Sequence, residues 1–239
     1  MRTLIAIVHC RTRQPYMDAI RATWMTLVPS NCADAKFFVG RGEHKDYPED
    51  VVELDCGDGY ESLPEKVRAI TKWSLANGYE YTFKLDDDVV ILPSKFLASG
   101  YESADFIGHR NSSHENPVPP YGFCYGLSKR SMQIIAEAEL PKDNFDEGWV
   151  RTKLYEHGIV LRHDPRYFLH FGKKEDYISK RRPLRFQRVN TLLTAKPVDG
   201  TFAWCLYIPW LGYKNLPVER NIAEFHKIWN EVRGSDVHS

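Results

Sequence analysis

Between Tyr79 and Leu92 an apolar strand pattern is interrupted by Asp86, Asp87 and Asp88 and then resumes as Val89, Val90, Ile91 and Leu92 before Pro93. Three adjacent anions are incompatible with a sheet interior, because desolvating even one unpaired carboxylate costs several kcal/mol or forces it to take a proton. The acids therefore belong at a strand end, in the crevice where open α/β sheets bind ligands. Side chains alternate along a strand, which puts Asp86 and Asp88 on one face and Asp87 on the other. Two oxygen donors on one side suit a hard cation such as Mg²⁺ or Mn²⁺, itself able to hold a diphosphate. An acidic triplet is also the composition of a solvated turn. The apolar flanks favour a site.

The rest of the chain supplies a sheet to carry it. Leu4 to Val8 is a continuous apolar run, as expected of a parallel strand covered on both faces. Residues 15 to 27 read as one helix, with Pro15 in its first turn and Ile20, Thr23, Trp24 and Leu27 on a stripe. Strands follow at Lys36 to Gly40 and Val51 to Leu54, then a helix from Leu63 to Ala76 closed by Asn77 and Gly78. Beyond the acids come a short helix near Ser94 to Leu97, a strand from Ala104 to Gly108, and a polar loop from His109 to Pro120. The stretch Pro120 to Ser128 reads as an aromatic turn or sugar-stacking platform, with Ser128 capping a helix over Met132 to Ala138. Asp146 and Glu147 precede a helix ending at Gly158, and Tyr167 to Gly172 is an aromatic strand containing His170. Acids at a helix start are favoured by its dipole alone, and His170 equally suits a core position.

Strands alternating with helices predict an α/β fold with its ligand at the sheet's switch point. Residues 1–172 form the expected core, and 173–239 an extension packed on it within one domain. The extension concentrates Lys173, Lys174, Lys180, Arg181, Arg182, Arg185 and Arg188, then aromatics from Phe202 to Trp210, and ends in an amphipathic pattern of Ile222, Phe225, Ile228, Trp229 and Val232. Over all 239 residues Lys plus Arg and Asp plus Glu are equal at 32, so overall charge names no partner. A nucleic-acid surface would have to be local. No apolar run reaches spanning length, which predicts no membrane insertion and a cytoplasmic protein. The five cysteines lack metal or redox spacing, so reduced, mostly buried thiols are expected.

In order along the chain, Arg21-Ala22-Thr23-Trp24, Phe38-Val39-Gly40, Asp58-Gly59-Tyr60 with Leu63 and Lys66, Lys84-Leu85-Asp86-Asp87-Asp88, Tyr125 with Ser128, and Asp146-Glu147 form a series. This series resembles the β-1,3-galactosyltransferase and Fringe-like family of inverting glycosyltransferases, over about residues 4 to 172. The resemblance implies a GT-A fold, a mixed Rossmann-like sheet flanked by helices, and a hexosyltransferase using a nucleotide-sugar donor, UDP-sugar in particular, with Mn²⁺ or Mg²⁺. It implies metal ligation by Asp88, with Asp86 toward the metal or the ribose and His170 downstream. Arg21, Lys66, Lys84, Asp86 and Asp87 are implied on the donor side. The family's Glu-Asp pair is reversed here, so the general base is Glu147 by position, with Asp146 as the substitute. Cys124 stands where the family has glycine, and neither a membrane anchor nor paired cysteines are evident, which points to a bacterial or viral relative. The acceptor is a saccharide or, through the basic Lys173 to Arg188 region, DNA carrying a hydroxymethylated base. A metal-dependent phosphoester hydrolase or nuclease and an inactive sugar-binding module are the rival classes.

Overall fold

The computed structural model describes residues 1–42, 47–110, 119–143, 145–171, 201–207 and 218–233. Its main sheet is built on β1 (Thr3–Val8), which is buried along its length between parallel neighbours β2 (Ala33–Val39) and β4 (Tyr81–Asp86). With β3 (Val51–Glu53), β6 (Phe106–Arg110), β7 (Pro120–Ser128) and β8 (Arg162–His163), the sheet has the order β3-β2-β1-β4-β7-β6-β8. β7 runs antiparallel to both β4 and β6, so the sheet is mixed. Helices α1 (Gln14–Arg21) and α2 (Leu63–Ala76) make the crossovers that parallel strands require. Helices α4 (Lys129–Glu137) and α5 (Asp146–Glu156) pack with α2.

The acidic strand does not resume in the sheet it leaves. β5 (Val89–Ile91) pairs antiparallel with β10 (Ala203–Tyr207), which pairs in parallel with β9 (Tyr167–Phe171), making a second, three-stranded sheet. Asp87 and Asp88 are thus the turn between two sheets. Short α3 (Pro93–Leu97) follows, and the last helix, α6 (Val218–Val232), buries Phe225, Ile228 and Trp229 in the same apolar cluster as Val89 to Leu92, Phe202, Trp24 and Ile20. The basic run from Lys173 to Arg188 lies outside the described residues. Among the described residues, no helix is long and apolar enough to cross a membrane.

Three expectations need correction. The helix foreseen over 15 to 27 stops at Arg21, and Trp24–Leu27 forms a separate 3₁₀ turn. The Thr23 hydroxyl donates to Ala19 O at 2.6 Å, the back-bonding that ends a helix, and the break lets buried Trp24 donate Nε1 to Val89 O at 3.0 Å. Residues 120 to 128 are a nine-residue strand rather than a turn. Of the described cysteines, Cys56 and Cys124 are buried, but Cys10 is half-buried and Cys32 exposed; all four are free thiols. Cys124 is enclosed in the core, so it does not present itself to a ligand.

Gly126 on β7 is dictated by packing. A Cβ there would stand 2.5 Å from the Phe83 ring, 2.7 Å from the Tyr81 ring and 2.9 Å from Ile107. Gly126→Ala is expected to destabilise the fold by about 1–3 kcal/mol through overpacking, against the small gain that alanine normally brings to a strand. Urea titration of the variant checks this.

Candidate active site

Strand register brings the site together. Val8 lies beside both Phe38 and Asp86, so the segments after β1, β2 and β4 emerge at one edge of the sheet. Asp58 ties the first two: its carboxylate accepts from the backbone of Arg11 at 2.9 Å and of Gly40 at 2.7 Å, and from Lys66 Nζ at 3.0 Å. Lys66 also donates to His9 O at 2.7 Å. Burial works against the Asp58 charge, but these donors hold its carboxyl below the usual range.

At the acidic turn the three carboxylates have different surroundings. Asp87 is buried, accepting from His9 Nδ1 at 2.8 Å and from Arg13 Nε at 2.9 Å to each oxygen. Burial alone would raise its pKa; His9 and Arg13 hold it below the ordinary value. Asp86 and Asp88 are half-buried. One inward acid thus stands between two that solvent reaches, but Asp87 and Asp88 lie in a turn rather than on a continuing strand.

Lys84 lies under Asp86, with only 2% of its surface exposed. Its Nζ donates to Asp86 Oδ1 and to Gly122 O, each at 2.6 Å, and stands 3.6 Å from Asp146 Oδ2. Burial opposes the ammonium charge, yet Asp146 and Asp86 together hold it protonated above its ordinary value. Tyr125, opposite Lys84 on β7, donates its hydroxyl to Asp146 at 2.6 Å. Asp146 is therefore buried at the first turn of α5, with its Oδ2 engaged by Tyr125 and facing Lys84. Its neighbour Glu147 is half-buried beside Gly122, where a Cβ would come within 3.1 Å of Glu147 Oε2. Burial, then the Asp146 carboxylate, push Glu147 up to about 7.

The galactosyltransferase family model matches residues 17–116, from within α1 through the acidic turn to beyond β6. A comparison with curated protein sequences gives no match. Among solved structures, the apo-form glycosyltransferase GlyE of Streptococcus pneumoniae TIGR4 is similar with a TM-score of 0.55 at 11% identity, covering 99% of this chain and 64% of that one. The galactosyltransferase LgtC, solved with donor and acceptor sugar analogs, is similar with a TM-score of 0.50 at 10% identity, covering 97% and 99%. At such identities the likeness speaks for the fold, and the family match adds the activity. The chain is a glycosyltransferase of the GT-A type.

In this glycosyltransferase the foreseen residues separate into two groups. Asp86, Asp87, Asp88, Lys84, Asp146 and Glu147 come together at one edge, through the contacts and electrostatic influences described above. Arg21 and Lys66 do not present free charges there. Arg21 is held by Asp50 at 2.7 and 2.8 Å over the Phe37 ring, and Lys66 is turned inward between Asp58 and His9. His170 lies on β9, and its side chain is outside the described residues. His109 bonds through Nδ1 to Tyr167 O, and His114 lies outside the described residues. Among the described residues no group of three or more His, Cys, Asp or Glu side chains is arranged to hold a metal ion. The half-buried carboxylates Asp86 and Asp88 are the donors that fit a Mg²⁺ or Mn²⁺, which commonly takes one or two carboxylates and fills its shell with substrate phosphates and water.

The sequence reading missed Arg13 and His9, which neutralise Asp87 from the loop after β1. No spacing announces a pairing across 74 positions. The demand that a buried acid have a counter-charge could have prompted a search for one. The raised Glu147 carboxyl has a consequence for stability. A carboxyl whose folded pKa exceeds its unfolded value of 4.5 favours the folded state at low pH and loses that contribution as pH rises through about 7. Glu147→Gln is therefore expected to raise the thermal unfolding midpoint at pH 8, with the gain shrinking as the pH falls through 7 toward 4.5. Melting curves across that range check it.

Proposed function

We propose that the enzyme transfers a sugar from a nucleotide-sugar donor, UDP-sugar in particular, to a saccharide hydroxyl with inversion, and that Glu147 is the general base. The observation that carries this is Glu147 itself: half-buried beside Gly122, with an ionisation near 7, next to an Asp146 already engaged by Tyr125 and Lys84. A general base works best when its pKa lies near the operating pH. Asp146, buried and with its Oδ2 engaged by Tyr125, is the less suited of the pair.

In the proposed reaction Glu147 accepts the acceptor O–H proton as that oxygen forms its bond to the anomeric carbon. The anomeric bond to the diphosphate breaks on the opposite face, and its electron pair leaves with the nucleoside diphosphate. The carboxylates Asp86, Asp87, Asp88, Asp146 and Glu147 outnumber Arg13 and Lys84 among the described residues here, so an anionic diphosphate approaches a field of its own sign. A divalent cation held by Asp86 and Asp88 would supply Lewis-acid stabilisation of that leaving group. Lys84 holds Asp86 in place and favours its charged form against the burial that pushes that carboxyl up, while Arg13 with His9 holds Asp87 in place and below its ordinary value.

Incubation with a panel of nucleotide sugars and Mn²⁺, following nucleoside diphosphate release with and without saccharide acceptors, tests the reading. Glu147→Gln is expected to lower transfer ~10²- to 10⁴-fold while donor binding is retained. Asp88→Ala is expected to abolish metal-dependent turnover. Undiminished transfer in either variant removes that residue's role.

A further inference from the structure

We infer that Arg13 is a positioning residue for the acidic turn, and that helix α6 acts on the same turn through Asn221 and Tyr16. The inference rests on the proposed role of Asp86 and Asp88 in holding a cation. Asp87 stands between those two carboxylates, and its own points inward. Arg13 grips it with a planar fork: Nε is 2.9 Å from both oxygens and Nη2 is 2.5 Å from Oδ1, while His9 holds Oδ2 at 2.8 Å. A bidentate guanidinium fixes the plane of a carboxylate as well as its distance. With Asp87 clamped, the backbone on either side of it is constrained, and so are the directions in which Asp86 and Asp88 leave the turn. The Arg13 charge also acts on Asp88 itself.

Arg13 is in turn supported from outside the core of the site. Its guanidinium carbon lies 4.0 Å from the centroid of the Tyr16 ring, a cation–π stack. Tyr16 is buried on α1, and its hydroxyl accepts a hydrogen bond from Asn221 Nδ2 at 2.8 Å. Asn221 is a buried amide in the first turn of α6, more than 200 residues away in sequence. On the far side of the turn, Trp24 Nε1 fastens Val89 O at 3.0 Å. The acidic turn is therefore gripped before and after by the segment around α1. One of those grips extends to the C-terminal helix. Groups bonded directly to a metal's ligands typically contribute about 10- to 100-fold to metal affinity, and Arg13, which acts on Asp86 and Asp88 through Asp87, is expected at the lower end of that range.

The test uses the full chain and measures Mn²⁺ binding directly, by electron paramagnetic resonance of the free ion with nucleoside diphosphate present, alongside thermal melts and steady-state kinetics. Arg13→Gln is expected to weaken Mn²⁺ binding about tenfold and to raise the donor KM more than it lowers kcat. Asn221→Leu and Tyr16→Phe, each of which removes the amide-to-phenol bond, are expected to weaken Mn²⁺ binding about threefold. Parental Mn²⁺ binding that is unchanged in a folded Arg13→Gln protein overturns the inference alone. Should Arg13→Gln fail to fold, the other two variants decide, and unchanged binding in both overturns it. A parent protein that binds no Mn²⁺ overturns the metal reading and this inference together.

Discussion

A buried ammonium between two carboxylates is the constraint on which the site depends. Lys84 is enclosed under Asp86 and against Asp146, and it reaches the backbone of Gly122 on the neighbouring strand. Removing one partner from such a group leaves an uncompensated charge in a low-dielectric interior, a loss on the order of 3–5 kcal/mol. The arrangement therefore fixes three elements at once: the end of β4, the approach of β7 and the first turn of α5. Glu147 is placed by that same turn, one residue beyond the acid that answers Lys84.

The remaining charges follow the same rule. Asp87 is matched by Arg13 and His9, and Asp58 by Lys66 and two backbone amides. Arg13 and His9 come to Asp87 from more than seventy residues away, whereas Lys66 lies only eight residues beyond Asp58. Asp86, Asp88 and Glu147 are half-buried, and they are the acids for which ligand and proton roles are proposed.

Much of the fold was legible because its signals are local. The α2 helix runs over Leu63–Ala76 as its periodicity and Asn77-Gly78 terminator indicated, and Ser128 caps α4 by accepting from Ser131 N. β1 and α6 were equally plain from their apolar patterns. What escaped was tertiary. Thr23 ends α1 because Trp24 has a partner on β5, and Pro120–Ser128 is a strand because β4 and β6 pair with both of its edges. The triplet Asp86 to Asp88 was readable as a strand-end site, but not as a passage between sheets. Its keeper Arg13 carries no local mark, and Lys66, which looked like a ligand contact, is an internal brace.

The junction of the two sheets has a further meaning. Asp86 closes β4 and Val89 opens β5, so two residues of chain leash one sheet to the other at the place where chemistry is proposed. A slide or hinge between the sheets would have to be absorbed by that leash, altering the gap between its carboxyls. Packing changes far away, in the small sheet or beneath the last helix, would then register as changes in catalytic competence, and screening for tuned activity need not be confined to the cleft.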